Sequence, residues 1–262
     1  MMAYPFQRES RRARWAWRLA RFSLALLVVG AAGHRLDFVD TPSFLAVAGL
    51  VALLAVLALL IAWFAIVRLW QVDELGIGKA FAATLLALAV LAPFGLGAIL
   101  YATGSGISDI STDTANPPAL REAARLRGGW MNPVRPVGEE VALRQREHYP
   151  EVTGRRYEHD RNTVQEVVQT VAAQHGWRVT RQADPRHDGA TITIEYEARS
   201  LVLGFVSDVA IRLRDEFGST YIDLRSASRY GDYDFGDNAR RIAGFMERLD
   251  EAMAMIPIIP VD

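Results

Sequence analysis

The chain has 262 residues, a formal net charge of −1, no cysteine, and Lys79 as its one lysine. Lack of cysteine excludes disulfides, thiolate nucleophiles and thiolate metal sites, and suits an oxidising compartment without requiring one. The near-neutral total joins two unlike parts: residues 1–102 carry nine basic against five acidic residues and residues 103–262 carry 20 against 25, an acidic balance that argues against nucleic acid as a partner.

Residues 1–21 are polar and basic, with Arg8, Arg11, Arg12, Arg14, Arg18 and Arg21 interleaved with Trp15 and Trp17. Such a segment beside an apolar run belongs at a membrane interface; a nucleic-acid arm is the weaker alternative. The first apolar run, 22–33, is shorter than the roughly 20 residues a spanning helix needs. A span over 17–36 therefore recruits flanking residues by snorkelling. The small residues Gly30, Ala31, Ala32 and Gly33 behind a basic front also fit a signal peptide; the retained helix is the preferred reading. Residues 44–67 carry no charge and predict a second span. Residues 80–102 predict a third, with Pro93, Gly95 and Gly97 marking a bend or a close helix contact. The central parts of these runs hold no ionisable residue, so no proton or ion path is expected. The cations lie in the N-terminus and the second loop, and the positive-inside rule then puts residue 103 onward outside the cytoplasm. Removal of the first segment as a signal leaves that side unchanged.

Beyond the connector 103–106, residues 107–118 read as an ordered turn of Asp and Ser side chains before Pro117-Pro118. A short helix is expected within 118–127. Residues 128–161, with Pro133, Pro136 and Pro150, read as irregular, and a loop that long is functional or wraps the domain. Thr163-x-x-Glu166 is a capping box opening a helix with the stripe Val164, Val167, Val168 and Val171, ended by Gly176. Strands follow at 177–182, 191–199, 205–214 and 220–228, with a Phe217-Gly218-Ser219 turn between the last two. A final helix over 237–255 has the stripe Ile242, Phe245, Met246, Leu249 and Met253. Pro257 stops it before an apolar tail, 258–261. Residues 107–262 thus predict an α+β domain, an antiparallel sheet with two helices packed on one face.

Period two places Glu195, Glu197, Arg199, Asp208, Arg212, Arg214, Asp223, Arg225 and Arg229 on the other face. The preferred reading is a solvated face with cross-strand ion pairs; the alternative is a polar binding surface covered by 107–161. His148, His159, His175 and His187 show no helical metal pairing, and neither G-x-S-x-G nor a phosphate-binding loop occurs. No metal or cofactor is expected. Asp109 and Asp113 could do acid–base work, although capping a turn is the simpler role.

The densest chemistry lies in 219–242, a strand-to-helix corner. Arg225 and Arg229 project on the charged face, Ser226 and Ser228 towards the helices. Asp234 and Asp237 can cap the first amides of the last helix. If they do, the arginines pair with Asp223, Asp208 or Asp234 in a structural clasp; if not, arginines and a helix N-terminus are the parts of an anion site.

The run Asp223-Leu224-Arg225-Ser226-Ala227-Ser228-Arg229-x-Gly231-x-x-Asp234-x-Gly236-x-Asn238-x-Arg240-Arg241-Ile242 resembles the signature of a bacterial family, domain of unknown function 1499. Phe205-Val206-Ser207-Asp208-Val209 also fits. Gly33-His34-Arg35 and Asp109-Ile110-Ser111-Thr112-Asp113 with Pro117-Pro118 are similar to its membrane-anchored branch. Some relatives carry a cysteine with paired serines at the latter stretch, so the resemblance implies no thiol chemistry here. It implies an integral membrane protein with an extracytoplasmic domain and no assigned activity. With the three spans and the loop charges, the expectation is a multi-pass inner-membrane protein with one periplasmic α+β domain. The candidate binding residues are Asp109, Asp113, Asp208, Arg225, Ser226, Ser228, Arg229, Asp234, Asn238 and Arg241. The expected partners are the lipid bilayer and an envelope protein or anionic small ligand. The rivals are a hydrolase using Asp109, Asp113 or Asp234, and a purely structural anchor.

Overall fold

The computed structural model describes residues 9–71, 75–182, 191–216 and 218–257. His187, Phe217 and the apolar tail 258–261 lie outside them. The chain divides into two compact units, Met1–Ala102 and Thr103–Asp262.

The first unit holds α1 (Arg11–Arg35), α2 (Thr41–Leu69) and α3 (Ile77–Thr103), each long and apolar enough to cross a membrane. α1 begins earlier than the expected 17 and takes in Arg11, Arg12 and Arg14. Arginine is a good helix former whose stem lies along apolar surface while its head stays polar. The packing is inverted relative to a water-soluble bundle. Ala16, Ala20, Ala58, Ala62, Ala83 and Ala87 are fully buried between the helices, whereas Leu53, Trp63, Phe64 and Leu85 are exposed. Small residues let helix backbones approach closely, and large apolar side chains facing outward suit a lipid solvent. At the α1–α2 turn the His34 ring stacks on Phe44, and its Nε2 lies 3.0 Å from Thr41 Oγ1. Asp40 caps α2 by accepting from the Ser43 amide. Pro93 lies inside α3, which continues past it.

The second unit is an α+β domain. Its strands are β1 (Asp109–Ser111), β2 (Arg155–Tyr157), β3 (Arg178–Arg181), β4 (Thr191–Arg199), β5 (Val206–Glu216) and β6 (Ser219–Ser228). They form one antiparallel sheet in the order β1-β6-β5-β4-β3, with β2 also on β6. The short strands β1 and β2 share one edge of β6: β1 faces residues 225–227 and β2 faces 220–222. Gly154 permits the second approach, since a Cβ there would fall 2.5 Å from Tyr221 Oη and 2.8 Å from the Ile222 carbonyl. Residues 107–118, expected as a turn, therefore supply a strand. The Thr112 amide extends it to the Leu224 carbonyl, and Asp113 then forms the turn by accepting from the Ala115 and Asn116 amides.

Two helices cover one face, α6 (Arg161–Gln174) and α7 (Asp237–Ala254). Their stripes meet Ile192, Ile194, Tyr196, Val209, Ile211, Leu213, Ile222 and Leu224 in the main core. α6 starts at Asp160 rather than at the expected capping box: Asp160 accepts from the Asn162 and Thr163 amides and from the Thr163 hydroxyl. Aspartate is the better N-cap and stands one turn earlier. Residues 128–161 are not irregular throughout. They contain α5 (Glu139–His148) as well as β2, and α4 (Arg121–Leu126) precedes them. α5 is polar, with only Val141, Ala142 and Gln145 turned inward, which leaves too few apolar positions to signal a helix.

Phe245 is fully buried and stacks on Trp177 with ring centres 4.8 Å apart. Phe245→Ala removes this stack from the centre of the core and is expected to lower stability by about 3–5 kcal/mol, read from the urea midpoint of the domain's near-ultraviolet circular dichroism. A loss within error would show that the core closes without α7.

Candidate functional site

The face of the sheet opposite α6 and α7 was expected to be solvated. It is buried. Glu195, Glu197, Asp208, Arg212, Asp223 and Arg225 are each at most 7% exposed, because residues 112–136 cross over them. The strand register explains which charges meet. Glu197 stands directly opposite Asp208, Arg212 opposite Asp223, and Glu195 opposite Ala210. Two carboxylates face to face across a ladder repel. Arg229 resolves the conflict by bridging them, 2.7 Å from Asp208 and 3.1 Å from Glu197. Arg127 adds a second cation at 2.7 Å from Asp208 and donates to the Asn132 and Ala227 carbonyls. Arg178 and Arg199 complete Glu197. Burial draws the Arg229 guanidinium towards a lower pKa, and the two carboxylates outweigh it and hold the pKa above its ordinary value.

Each remaining charge ties down the cover. Glu195 accepts from the Arg121, Glu122 and Ala123 amides, the first of α4, where a carboxylate opposes the helix dipole. Ala210 and Ala227 leave the room in which Leu120 and Ala123 pack. Arg212 pairs with Asp223 at 2.7 Å and with Asp113 at 2.9 Å. Arg225 forks onto Asp109, through Nε at 2.9 Å and Nη2 at 2.7 Å, and donates to the Arg135 carbonyl. Its partner is thus Asp109 rather than Asp223, Asp208 or Asp234, because β1 lies beside β6 and brings Asp109 across.

Ser226, Ser228, Asn238 and Arg241 lie on the helix side. Asn238 is fully buried and is the hub. It accepts from Ser226 Oγ (2.7 Å) and from Arg241, and donates to Ser228 Oγ (2.9 Å) and the Ser108 carbonyl (2.8 Å). Asp234 accepts from the Gly236 and Asn238 amides, and Asp237 pairs with Arg241. Asp234 alone therefore occupies the amides at the start of α7, and Asp237, expected to cap them too, instead pairs with Arg241 one turn on; the corner forms the clasp. Phe235 and Gly236 take left-handed backbone (φ +57° and +75°) to turn into it. A Cβ at Gly236 would come within 3.1 Å of Arg240 and 3.3 Å of Tyr149. Burial raises the pKa of the Asp234 carboxyl, and the two amide donors pull it back only in part.

The candidate residues thus fall into two groups on opposite faces. Asp109, Asp113, Asp208, Arg225 and Arg229 belong to the covered charged layer; Ser226, Ser228, Asp234, Asn238 and Arg241 belong to the helix clasp. Glu195, Glu197, Arg212 and Asp223 belong to the first group and were visible in the strand alternation. Arg127, Asn132 and Gln145 were not: they lie in short segments without periodicity. Gln145 pairs both backbone groups of Ser111, as a further strand would. Asn132 binds the Ser228 and Gly231 carbonyls.

Two clefts stand out among the described residues. One, of about 460 Å³, runs between residues 151–155 and α7 and has an acidic rim of Glu151, Glu247, Asp250 and Glu251. The other, of about 310 Å³, adjoins Asp109 and is lined by Ile107, Pro133, Val137 and Val141 with Asn132, Arg135 and Asp232. Among the described residues no group of three or more His, Asp or Glu is placed to hold a metal ion.

Three helices able to cross a membrane, followed by an α+β domain with an internally neutralised polar layer, define a membrane protein of unassigned activity. The chain belongs to the family described as protein of unknown function (DUF1499), whose pattern matches residues 109–249. That span contains every charged-layer and clasp residue named above except Ser108. No curated protein matches the chain.

Asp208→Ala is expected to cost about 3–5 kcal/mol, because it leaves the buried Arg127 guanidinium without its carboxylate and Arg229 with Glu197 alone. Arg240→Ala, at an exposed pair with Asp237, should change stability by no more than about 0.5 kcal/mol. Denaturant midpoints of the two variants check this, and equal losses would show that the layer is not sealed. Asp234 also gives a pH signature. Its carboxyl has a higher pKa folded than unfolded, so its contribution is fully present below the ordinary value of 3.8 and is lost as pH rises through the folded-state value. Asp234→Asn removes that component. The wild-type minus variant midpoint should therefore fall with rising pH in the acidic range and then level off; a flat difference would refute the burial of this carboxyl.

Proposed function

We propose that the chain is a multi-pass inner-membrane protein whose domain over 107–262 faces the periplasm and binds a ligand or envelope partner. The orientation is supported by the Lys and Arg count: six arginines in the N-terminus and Arg68 and Lys79 about the second loop, against Arg35 alone in the first. The observation that carries the binding reading is the contrast between the carboxylates and the cleft beside them. Asp109, Asp113 and Asp234, the groups a hydrolase would use, are engaged by Arg225, Arg212 and the α7 amides. An acid–base catalyst needs a carboxylate free to reach substrate. The cleft at 106–109 and 132–141 mixes apolar residues (Ile107, Pro133, Val137, Val141) with polar ones (Ser108, Asn132, Arg135, Asp232), and Asp109 in it is neutralised by Arg225, which leaves polar groups to orient a ligand. The exposed Arg135 at its rim favours an anionic or carbonyl-rich ligand. The larger cleft is less suited, since its rim is acidic and Arg155 is held by Asp250.

Alkaline phosphatase fused after Asp262 should be active and a cytoplasm-dependent fluorescent reporter there dark; the reverse would sink the orientation. In cells, a photoactivatable residue at Val137 should capture a discrete ligand or protein, and Arg135→Glu should abolish the capture. The same residue at Asp215, an exposed position on β5, should capture nothing. Equal capture at both positions, or none at Val137, would overturn the cleft as the site.

A further inference from the structure

Between β4 and β5 the chain presents two adjacent aliphatic side chains to solvent, Leu201 and Val202, at 91% and 82% exposure. The turn is well built. The Ser200 amide donates to the Phe205 carbonyl at 2.9 Å, the Phe205 amide to Ser200 Oγ at 2.9 Å, and Gly204 closes it with φ +76°. A turn hydrogen-bonded in this way holds its tip outward. Two large aliphatic residues there add nothing to the core, and contiguous exposed apolar surface marks an interaction site.

The register shows what else lies at that end of the sheet. Ser207 faces Ser228, the Arg229 amide donates to the Val206 carbonyl, and the Asn132 amide donates to the Arg229 carbonyl. The loop before Asn132 carries Trp130, 87% exposed. Arg178 and Arg199 stand there too, bonded to Glu197, with the Arg178 side chain still 73% exposed. The chain also enters the domain at this end, where the Ser108 carbonyl accepts from the Ser228 amide at 2.9 Å. Residues 104–107 are all that separates Thr103, the last residue of the apolar helix α3, from that entry point at Ser108, and four residues reach at most about 14 Å when extended. An aliphatic tip, a tryptophan and arginines together have the composition of a membrane interface.

We propose that the 200–205 turn, with Trp130, docks on the surface of the bilayer that holds the chain's own helices. This rests on the reading of the chain as a membrane protein. The covalent tether selects lipid over a second copy, because it keeps this end of the domain within reach of the end of a helix long enough to span.

The chain contains no cysteine, so Val202→Cys and Asp215→Cys each give one labelling position in the full-length protein, both on exposed side chains. Each variant carries an environment-sensitive nitrobenzoxadiazole label and is reconstituted in phosphatidylcholine–phosphatidylglycerol vesicles. Residue 202 should show blue-shifted emission, quenched by shallow-brominated lipid at every protein-to-lipid ratio. Residue 215, at the far end of β5, should emit as in water. Label at 202 that is unquenched and water-like while the protein floats with the vesicles would overturn the docking and leave the membrane reading intact. Label shielded only at high protein density and untouched by brominated lipid would instead identify a second copy as the occupant. Protein that fails to float with the vesicles would overturn the membrane reading itself, and the docking with it.

Discussion

The domain depends on neutralising Asp208 and Glu197. The antiparallel register puts these carboxylates opposite one another on the central strands, beneath a covering segment that excludes water. A lone buried carboxylate costs several kcal/mol, and two facing each other cost more. Arg229 is therefore shared between them, and Arg127 reaches in from the covering segment. The second cation fixes the path of that segment, because its other donors hold the Asn132 and Ala227 carbonyls. A charge conflict set by strand register thus dictates where a loop distant in sequence must lie.

The same logic recurs along the face. Glu195 needs donors and takes the first amides of α4; Arg225 needs an acid and takes Asp109 from the edge strand. Buried ion pairs of this sort add little net stability over apolar packing, but breaking one is costly. Their value lies in position: each pair joins the sheet to one point on the cover, and a shifted cover leaves a charge unpaired. On the opposite face Asn238 does the equivalent with neutral groups, locking the end of β6, the start of α7 and the entry of the chain at Ser108.

These two networks leave the polar residues with internal work and the surface with the external work. Among the described residues, the cleft beside Asp109 and the apolar tip at the end where the chain enters stay open at the surface. In the helical unit small residues face inward and large apolar residues outward, as expected of helices whose solvent is lipid.

Much of this was fixed by sequence alone. Apolar runs free of charge determined α2 and α3, since a bilayer tolerates little else; the run within α1 was short and left a signal peptide as an alternative. Period-two alternation determined β4 to β6 and which of their residues share a face. The 3.6-residue stripes of α6 and α7 determined the apolar side of the sheet. Asp234 ahead of Gly236 marked a capped helix start. What the sequence did not determine was the fate of the other face. Strand periodicity shows that Glu197 and Asp208 point the same way; it does not show that anything lies over them. Residues 109–111 and 155–157 are too short to show a period and became strands only because the β6 edge offered unpaired backbone groups. α5 carries too few apolar residues to signal itself, and Arg127, Asn132 and Gln145 stand in segments with no repeat at all. Their roles arise from long-range pairing, Asn132 with Ser228 and Gly231, Gln145 with Ser111. Such pairing depends on where the chain returns in space, and only the tertiary structure decides that.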